Sequence, residues 1–261
     1  MTFTSMTDLQ SRCDHLRSLH TPGDPLLLPN VWDVATARAV VNAGFPVVAT
    51  TSWGVAGSLG YEDDEHAPAD EMLAAAARIA HAVDVPVTVD AEAGYGMDPA
   101  ELVAALKDAG AAGCNLEDTD HAAGALRDPG ERAKWLAAVR DAASADDYPL
   151  VINARVDIFL EPYIAGAAPG TQIDLVPEAV KRANAYLEVG VDCVYPVALW
   201  EPDALTLFMA GVDAPVNVSR VPQLSSLEEV AALGVARVSW AIFLFEAAMT
   251  QFADQLASLR S

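Results

Sequence analysis

The chain has 261 residues, 52% of them hydrophobic, enough for one large buried core and too many for a disordered protein. Its 15 basic and 37 acidic residues give a formal charge of −22, a field that repels nucleic acid and anionic membranes, and that also repels an anionic substrate unless the site supplies positive charge of its own. No apolar run reaches the length of a membrane span, the N-terminus lacks a secretory pattern, and Cys13, Cys114 and Cys193 show no paired spacing. The expectation is a cytoplasmic protein without structural zinc that binds neither nucleic acid nor membrane.

In chain order, the stretch near 8–19 places Leu9, Cys13, Leu16 and Leu19 at helical spacing, as in a helix that closes the bottom of a larger fold. Short β-type runs then alternate with alanine-rich helical stretches. The expected strands are Leu26–Leu28, Val47–Thr50, Val85–Val89, Gly113–Leu116, Leu150–Ala154, Cys193–Tyr195, Val216–Val218 and Arg237–Ser239. Asp98 before Pro99, and Ser226 before Glu228 and Glu229, read as helix N-caps, whereas Gly44, Gly110, Gly190 and Gly234 read as helix ends. A strand, helix, glycine rhythm repeated eight times predicts an α/β fold, a (β/α)8 TIM barrel forming a single domain over 1–261. An open dinucleotide-binding sheet would need a glycine-rich turn after the first strand, and LLLPNVWD has none. The last helix, starting near Trp240 and running through Phe245, is apolar on more than one face. It is therefore expected to pack on, or swap with, a neighbouring subunit in a homo-oligomer, a dimer or tetramer.

In such a barrel the chemistry sits where strands end. This rule selects Asn30 and Asp33, Thr51-Ser52-Trp53, Asp90 and Glu92, Glu117 and Asp118, Arg155 and Asp157, Tyr195, and Asn217. Asp90 and Glu117 close adjacent strands and aim hard oxygens at one small volume, which Mg²⁺ (or Mn²⁺) would explain, with Glu92 and Asp63 in outer positions. Any single acid there could equally cap a helix or face solvent. A solvated loop is the expectation for Asp118, Asp120 and the run 62–65 other than Asp63. Arg155 is placed to meet an anion, or else to pair with those acids. The three lysines, Lys107, Lys134 and Lys181, fall in helices, which disfavours an imine-forming enzyme. His15, His20 and His81 read as surface residues, His66 and His121 as solvated loop residues, and Cys114 and Cys193 as small buried side chains.

The stretches PNVWDVATARAVVNAG, TTSWGVAGSLGYED, VDAEAGYG, NLEDTD and NARVDIF together resemble the isocitrate lyase/phosphoenolpyruvate mutase superfamily. The resemblance implies that Asp90 ligates magnesium directly while Asp63, Glu92 and Glu117 support it, mostly through water. It implies further that Thr51, Ser52 and Trp53 receive the carboxylate and oxo oxygen of a small 2-oxo or 2-hydroxy acid, and that Arg155 is the substrate arginine. The implied reactions pass through a metal-stabilised enolate. The Lys-Lys-Cys-Gly-His loop of the isocitrate and methylisocitrate lyases is absent, as is the Asp-Lys-x-Phe-Pro-Lys motif of the phosphonomutases. Tyr195-Pro196 replaces the His-Ser pair of the latter, and Glu92 replaces the usual aspartate. What these departures leave is C–C cleavage of a 2-oxo acid, with oxaloacetate-type decarboxylation first and retro-aldol cleavage second. The expected catalytic residues are Arg155, Thr51 and Ser52, and the expected substrate-binding set is Trp53, Asp90, Arg155, Tyr195 and Asn217. The competing expectations are C–P chemistry on a phosphonate and a 2-oxo-acid binding protein without catalysis.

Overall fold

The computed structural model describes residues 6–259. Helix α1 (Met6–Ser18) precedes β1 (Leu26–Leu28), β2 (Asn30–Val31), α2 (Val34–Asn42), β3 (Val48–Thr50), α3 (Ser52–Leu59), α4 (Ala69–Ala80), β4 (Val87–Asp90), α5 (Pro99–Ala109) and β5 (Gly113–Leu116). A small hairpin, β6 (Thr119–Asp120) with β7 (Ala125–Leu126), leads into α6 (Pro129–Ala145) and β8 (Val151–Val156). The chain continues through α7 (Leu160–Ile164), α8 (Val176–Leu187), β9 (Cys193–Pro196), α9 (Pro202–Gly211), β10 (Asn217–Ser219), α10 (Leu227–Ala232), β11 (Arg237–Ser239) and α11 (Phe243–Ser258).

Parallel pairing runs β2-β3-β4-β5-β8-β9 on one arc and β1-β11-β10 on the other. A parallel bridge between Val194 and Val216 joins β9 to β10, and the chain itself joins β1 to β2, so the ring closes as a (β/α)8 barrel. Pro29, which has no N–H to give, splits the first strand: β1 pairs with β11 and β2 with β3. The second and third strands begin later than expected, at Val48 and Val87, each just after a proline-containing turn. The hairpin β6–β7 was not expected. Lys107, Lys134 and Lys181 all lie in helices.

Local signals act as their chemistry dictates. Asp98 accepts from Ala100 N ahead of Pro99, and Ser226 with Glu229 forms a reciprocal capping box. Gly44, Gly110, Gly190 and Gly234 all have positive φ after their helices. Helix α1 closes the bottom of the barrel, with Leu9, Cys13 and Leu16 buried. The closeness of that contact requires Gly113, where a Cβ would lie 2.8 Å from Leu16 Cδ2 and 2.8 Å from the Val151 carbonyl.

His20 differs from expectation. It is buried rather than on the surface, its Nδ1 lies 2.9 Å from the Leu16 carbonyl, and its Nε2 has no partner. Burial, with help from the Arg237 charge, lowers its pKa to about 4. The unfolded chain therefore takes up this proton first, and stability is lost as pH falls from the ordinary histidine value towards 4. The full effect approaches about 3 kcal/mol. Urea unfolding at pH 7 and pH 4.5 should show a smaller acid-induced loss for His20→Gln than for wild type; equal losses would rule out His20 as a source of acid lability.

Candidate active site

The register of the barrel brings the site together. Asp90 pairs with Asn115, Asn115 with Asn153, and Arg155 with Tyr195, so Asp90, Arg155 and Tyr195 reach one rim while Glu117 follows directly from β5. The Asp90 N–H donates to Thr50 Oγ1 at 2.8 Å, and its Oδ2 accepts from Ser52 N at 3.1 Å. One carboxylate oxygen is thereby fixed on the first turn of α3, while Oδ1 is buried without a partner. Asp63, from the loop after α3, takes a hydrogen bond from Ser52, and its Oδ1 is likewise buried and unpaired. Glu92 is 1% exposed and accepts from Glu65 N at 2.5 Å. Glu117 receives Arg155 Nη1 and lies 2.8 Å from His121 Nε2.

Four carboxyl groups so placed disfavour one another's charge. Burial, then the Asp90 charge, raises the Asp63 pKa to about 6. Burial, then the Asp63 charge, raises that of Glu92 to about 8. Burial also raises that of Glu117, against the pull of Arg155. Hard anionic oxygens that repel each other, two of them orphaned, suit a divalent cation. The described residues contain no group of three or more Asp, Glu, His or Cys side chains close enough to ligate one ion directly. The residues that could hold such a cation are Asp90 and Asp63, which carry the orphaned oxygens, with Glu117 beside them, and their spacing suits an ion that keeps most of its water better than a tight ring of carboxylates would.

Arg155 is held by a buried relay. Its Nε donates to Asp157 Oδ1 at 2.8 Å. Asp157 Oδ2 accepts from Thr119 Oγ1 at 2.8 Å and Asp118 N at 3.2 Å, and Asp118 Oδ1 accepts from Asp157 N at 2.8 Å. Asp118 Oδ2 then takes Arg182 Nη1 at 3.1 Å and the Tyr186 hydroxyl at 2.7 Å. This corrects the solvated-loop expectation for Asp118, which is fully buried at 0% exposure.

A cavity of about 210 Å³ opens on these groups, smaller than common drug-sized sites and suited to a small acid. Thr51, Ser52, Trp53, Asp63, Asp90, Glu117, Arg155 and Tyr195 line it. Thr51 caps α3 without a side-chain bond, and of the first-turn N–H groups that of Ser52 is given to Asp90. Asn217 does not line it: it is fully buried one layer down, its Nδ2 donating to Ser239 Oγ at 3.2 Å, and Ser219 takes the rim position. Glu92 also lies behind the wall. Asp33 caps α2, and Asn30 ties Thr50 O and Trp240 N together.

Two residues were missed. His121, expected in solvent, sits between Glu117 and Asp64, with its Nδ1 3.5 Å from the latter. Burial, the largest influence, opposes its charge, but the bond to Glu117 together with the charges of Glu117, Asp64 and Glu65 raises the pKa to about 9. Arg237 is 1% exposed inside the barrel, and its Nη2 donates to Asn115 Oδ1 at 3.1 Å beneath the acids. The only available signal was a histidine four residues after Glu117 in one case and an arginine opening a buried strand in the other.

Removing the charge that aims the arginine should be felt at the ligand. Asp157→Asn is expected to weaken oxalate binding by about tenfold or more, the scale of a charge-assisted hydrogen bond. Calorimetry on the folded variant checks this, and unchanged affinity would mean that Asp157 serves stability alone.

The chain matches the phosphoenolpyruvate phosphomutase family over residues 16–260. It is 34% identical to an uncharacterized protein of Mycobacterium tuberculosis, over 85% of this chain and 79% of that one. It is 29% identical to a protein named probable 2-methylisocitrate lyase 2 of Corynebacterium glutamicum, over 98% of this chain and 83% of the relative. Among solved structures it superimposes, with TM-score 0.88 and 40% identity, on a Burkholderia cenocepacia J2315 protein assigned as a phosphonomutase, covering 95% of this chain and 99% of that one. The chain belongs to the phosphoenolpyruvate phosphomutase family, within the isocitrate lyase/phosphoenolpyruvate mutase superfamily.

Proposed function

We propose that this protein is a magnesium-dependent lyase that cleaves a C–C bond of a small 2-oxo acid through an enolate, with decarboxylation of an oxaloacetate-like diacid as the leading reaction. The observation that carries the reading is the composition of the cavity: orphaned carboxylate oxygens on Asp90 and Asp63 beside Arg155, with no cysteine, lysine or histidine among the lining residues. Cleavage that leaves an enolate needs charge neutralisation more than it needs a nucleophile or a strong base.

Asp90, with Asp63 and Glu117 beside it and Glu92 behind them, would hold a divalent cation, which when bound would supply positive charge towards oxygens of the substrate. The first turn of α3, beyond the Ser52 N–H that Asp90 takes, receives the C1 carboxylate. Arg155, fixed by Asp157 and Glu117, neutralises charge at the 2-oxo oxygen. Apolar loop residues on the far side keep water from the leaving carboxylate and leave it without a counter-ion, which favours its departure as CO₂. The electron pair of the C3–C4 bond remains as the enolate, and one proton at C3 completes the 2-oxo acid.

The relative named as a methylisocitrate lyase suggests acid/base work by a cysteine. Here Cys13, Cys114 and Cys193 are buried, and burial pushes each thiol to about 12. The relative assigned as a phosphonomutase favours a second reading, C–P chemistry. Inorganic phosphate released from phosphonopyruvate, without pyruvate formation from oxaloacetate, would establish it instead. Saturable Mg²⁺-dependent binding of every 2-oxo acid tried, with no turnover, would indicate a binding protein.

Wild type with Mg²⁺ should bind oxalate and convert oxaloacetate to pyruvate faster than the metal alone, and chelation should abolish both. Asp90→Ala should lose metal binding and at least a hundredfold in turnover, while Cys114→Ala should retain activity within about twofold. Wild-type turnover in Asp90→Ala would sink the metal assignment.

We also propose that α11 packs on a second copy of the chain. It buries none of its residues in the protomer, and Met249, Phe252 and Leu256 form a stripe exposed by 44%, 56% and 47%. Phe252→Glu with Leu256→Glu should lower the mass seen by light scattering from oligomer to monomer; a wild-type monomer would overturn this. Among the described residues no helix is long and apolar enough to cross a membrane.

A further inference from the structure

The cavity is chemically two-sided, and the barrel order explains why. Its charged residues come from one arc of consecutive strands: Asp63 and Asp64 from the loop that follows β3 and α3, Asp90 on β4, Glu117 after β5 and Arg155 on β8. The loops after β8, β9, β10 and β11 complete the circle. They contribute Leu160, Tyr163, Val197, Val221, Ile242 and Phe243.

The polar groups on this second arc satisfy one another. Tyr195 OH and Ser219 Oγ are 2.7 Å apart, Ser239 Oγ lies 3.3 Å from the same hydroxyl, and Ala198 N donates to Ser219 Oγ at 3.3 Å. The arginine next in the chain, Arg220, donates to the carbonyls of Val221 and Leu224, each at 3.2 Å, and does not line the cavity. Arg237 is committed beneath Asn115. Arg155, on the opposite arc, is the single basic residue among those lining the cavity. A carboxylate seated permanently on the second arc would lose its water and gain no ion pair, whereas a hydrocarbon group would gain by burial.

We infer that the loops after β8, β9, β10 and β11 form a subsite for an uncharged aliphatic or aryl substituent, so that the substrate is a 2-oxo acid with one carboxylate at the Arg155 end and an apolar chain at the other. The inference rests on the functional reading given above and narrows it. Any second carboxylate belongs to the bond that breaks and leaves as CO₂; the part of the molecule that stays is apolar. Val197 and Val221, which follow β9 and β10, set the preference, and Phe243 at the start of α11 closes the far wall.

Calorimetric titration of the whole protein with Mg²⁺ tests this, using oxalate and pyruvate for the charged end and then 2-oxobutanoate, 2-oxopentanoate and 2-oxoglutarate. Affinity should rise by about fourfold for each methylene from pyruvate to 2-oxopentanoate. 2-Oxoglutarate, with a terminal carboxylate on a chain of the same length, should bind at least tenfold more weakly than 2-oxopentanoate. In Val221→Lys that ratio should move towards 2-oxoglutarate by at least tenfold, and Val197→Lys gives the same test should the first variant fail to fold. If oxalate and pyruvate bind but lengthening the chain brings no gain, or 2-oxoglutarate binds as tightly as 2-oxopentanoate, the subsite is overturned and the charged end stands. If no acid of the series binds, the functional reading falls and the subsite with it.

Discussion

The structure turns on a conflict of charge. A closed parallel barrel delivers Asp90 and Glu117 to neighbouring points on one rim, and the loops add Asp63 and Glu92, in a chain whose net charge is already −22. Left alone, such a cluster would protonate or splay. It is kept together because each acid is held by something other than its neighbours: Asp90 by the first turn of α3, Glu92 by the backbone of Glu65, Glu117 by Arg155 and His121. These bonds leave two oxygens unused, the Oδ1 atoms of Asp90 and Asp63.

The backbone carries part of the same burden. Among the described residues, seven other than glycine have positive φ: Asp64, Glu65, Glu92, Tyr95, Asp147, Ala198 and Ala241. All but Asp147 lie in loops on the active face, and Asp64, Ala198 and Ala241 line the cavity itself. Left-handed conformations in residues with a Cβ persist only where surrounding structure over-determines them. The Glu92–Tyr95 turn is fixed by hydrogen bonds across to the 62–65 loop, where Tyr95 N donates to Glu65 Oε1 at 2.5 Å and Glu92 accepts from Glu65 N. Strain in one loop and acid placement in the other are two aspects of one contact.

Much of this was legible because it is local. Strand and helix rhythm, glycine at helix ends, and acids at strand ends are each written within a few residues, and the barrel follows from repeating them. What escaped is what depends on partners far along the chain. Asp118 reads as a loop acid until Arg182 and Tyr186, 64 and 68 residues later, close over it. His20 is buried because the barrel bottom lies on it. Asn217 and Ser219 point to the same side of one strand, and choosing between them requires the depth of the strand in the barrel, which two residues of extended chain change by about 7 Å. His121 is the reverse case: its partner Glu117 is only four residues away, but the hairpin that turns it back has no strong turn signature in DTDHAAGALRD.

The two arcs of the cavity answer the difficulty posed by the charge of the whole chain. An acidic protein attracts no anion from a distance, so the proposed substrate acid would depend on local positive charge, and the cationic side chains near the site lie in layers: Arg155 at the rim, His121 beside Glu117, Arg237 below Asn115. All three lie on or beneath the arc that holds the acids. The opposite arc is left free of formal charge, so selectivity there falls to hydrocarbon contact, a weaker and more graded discriminator than an ion pair. Such a division would bind the invariant end of a substrate strongly and tolerate variation in the rest.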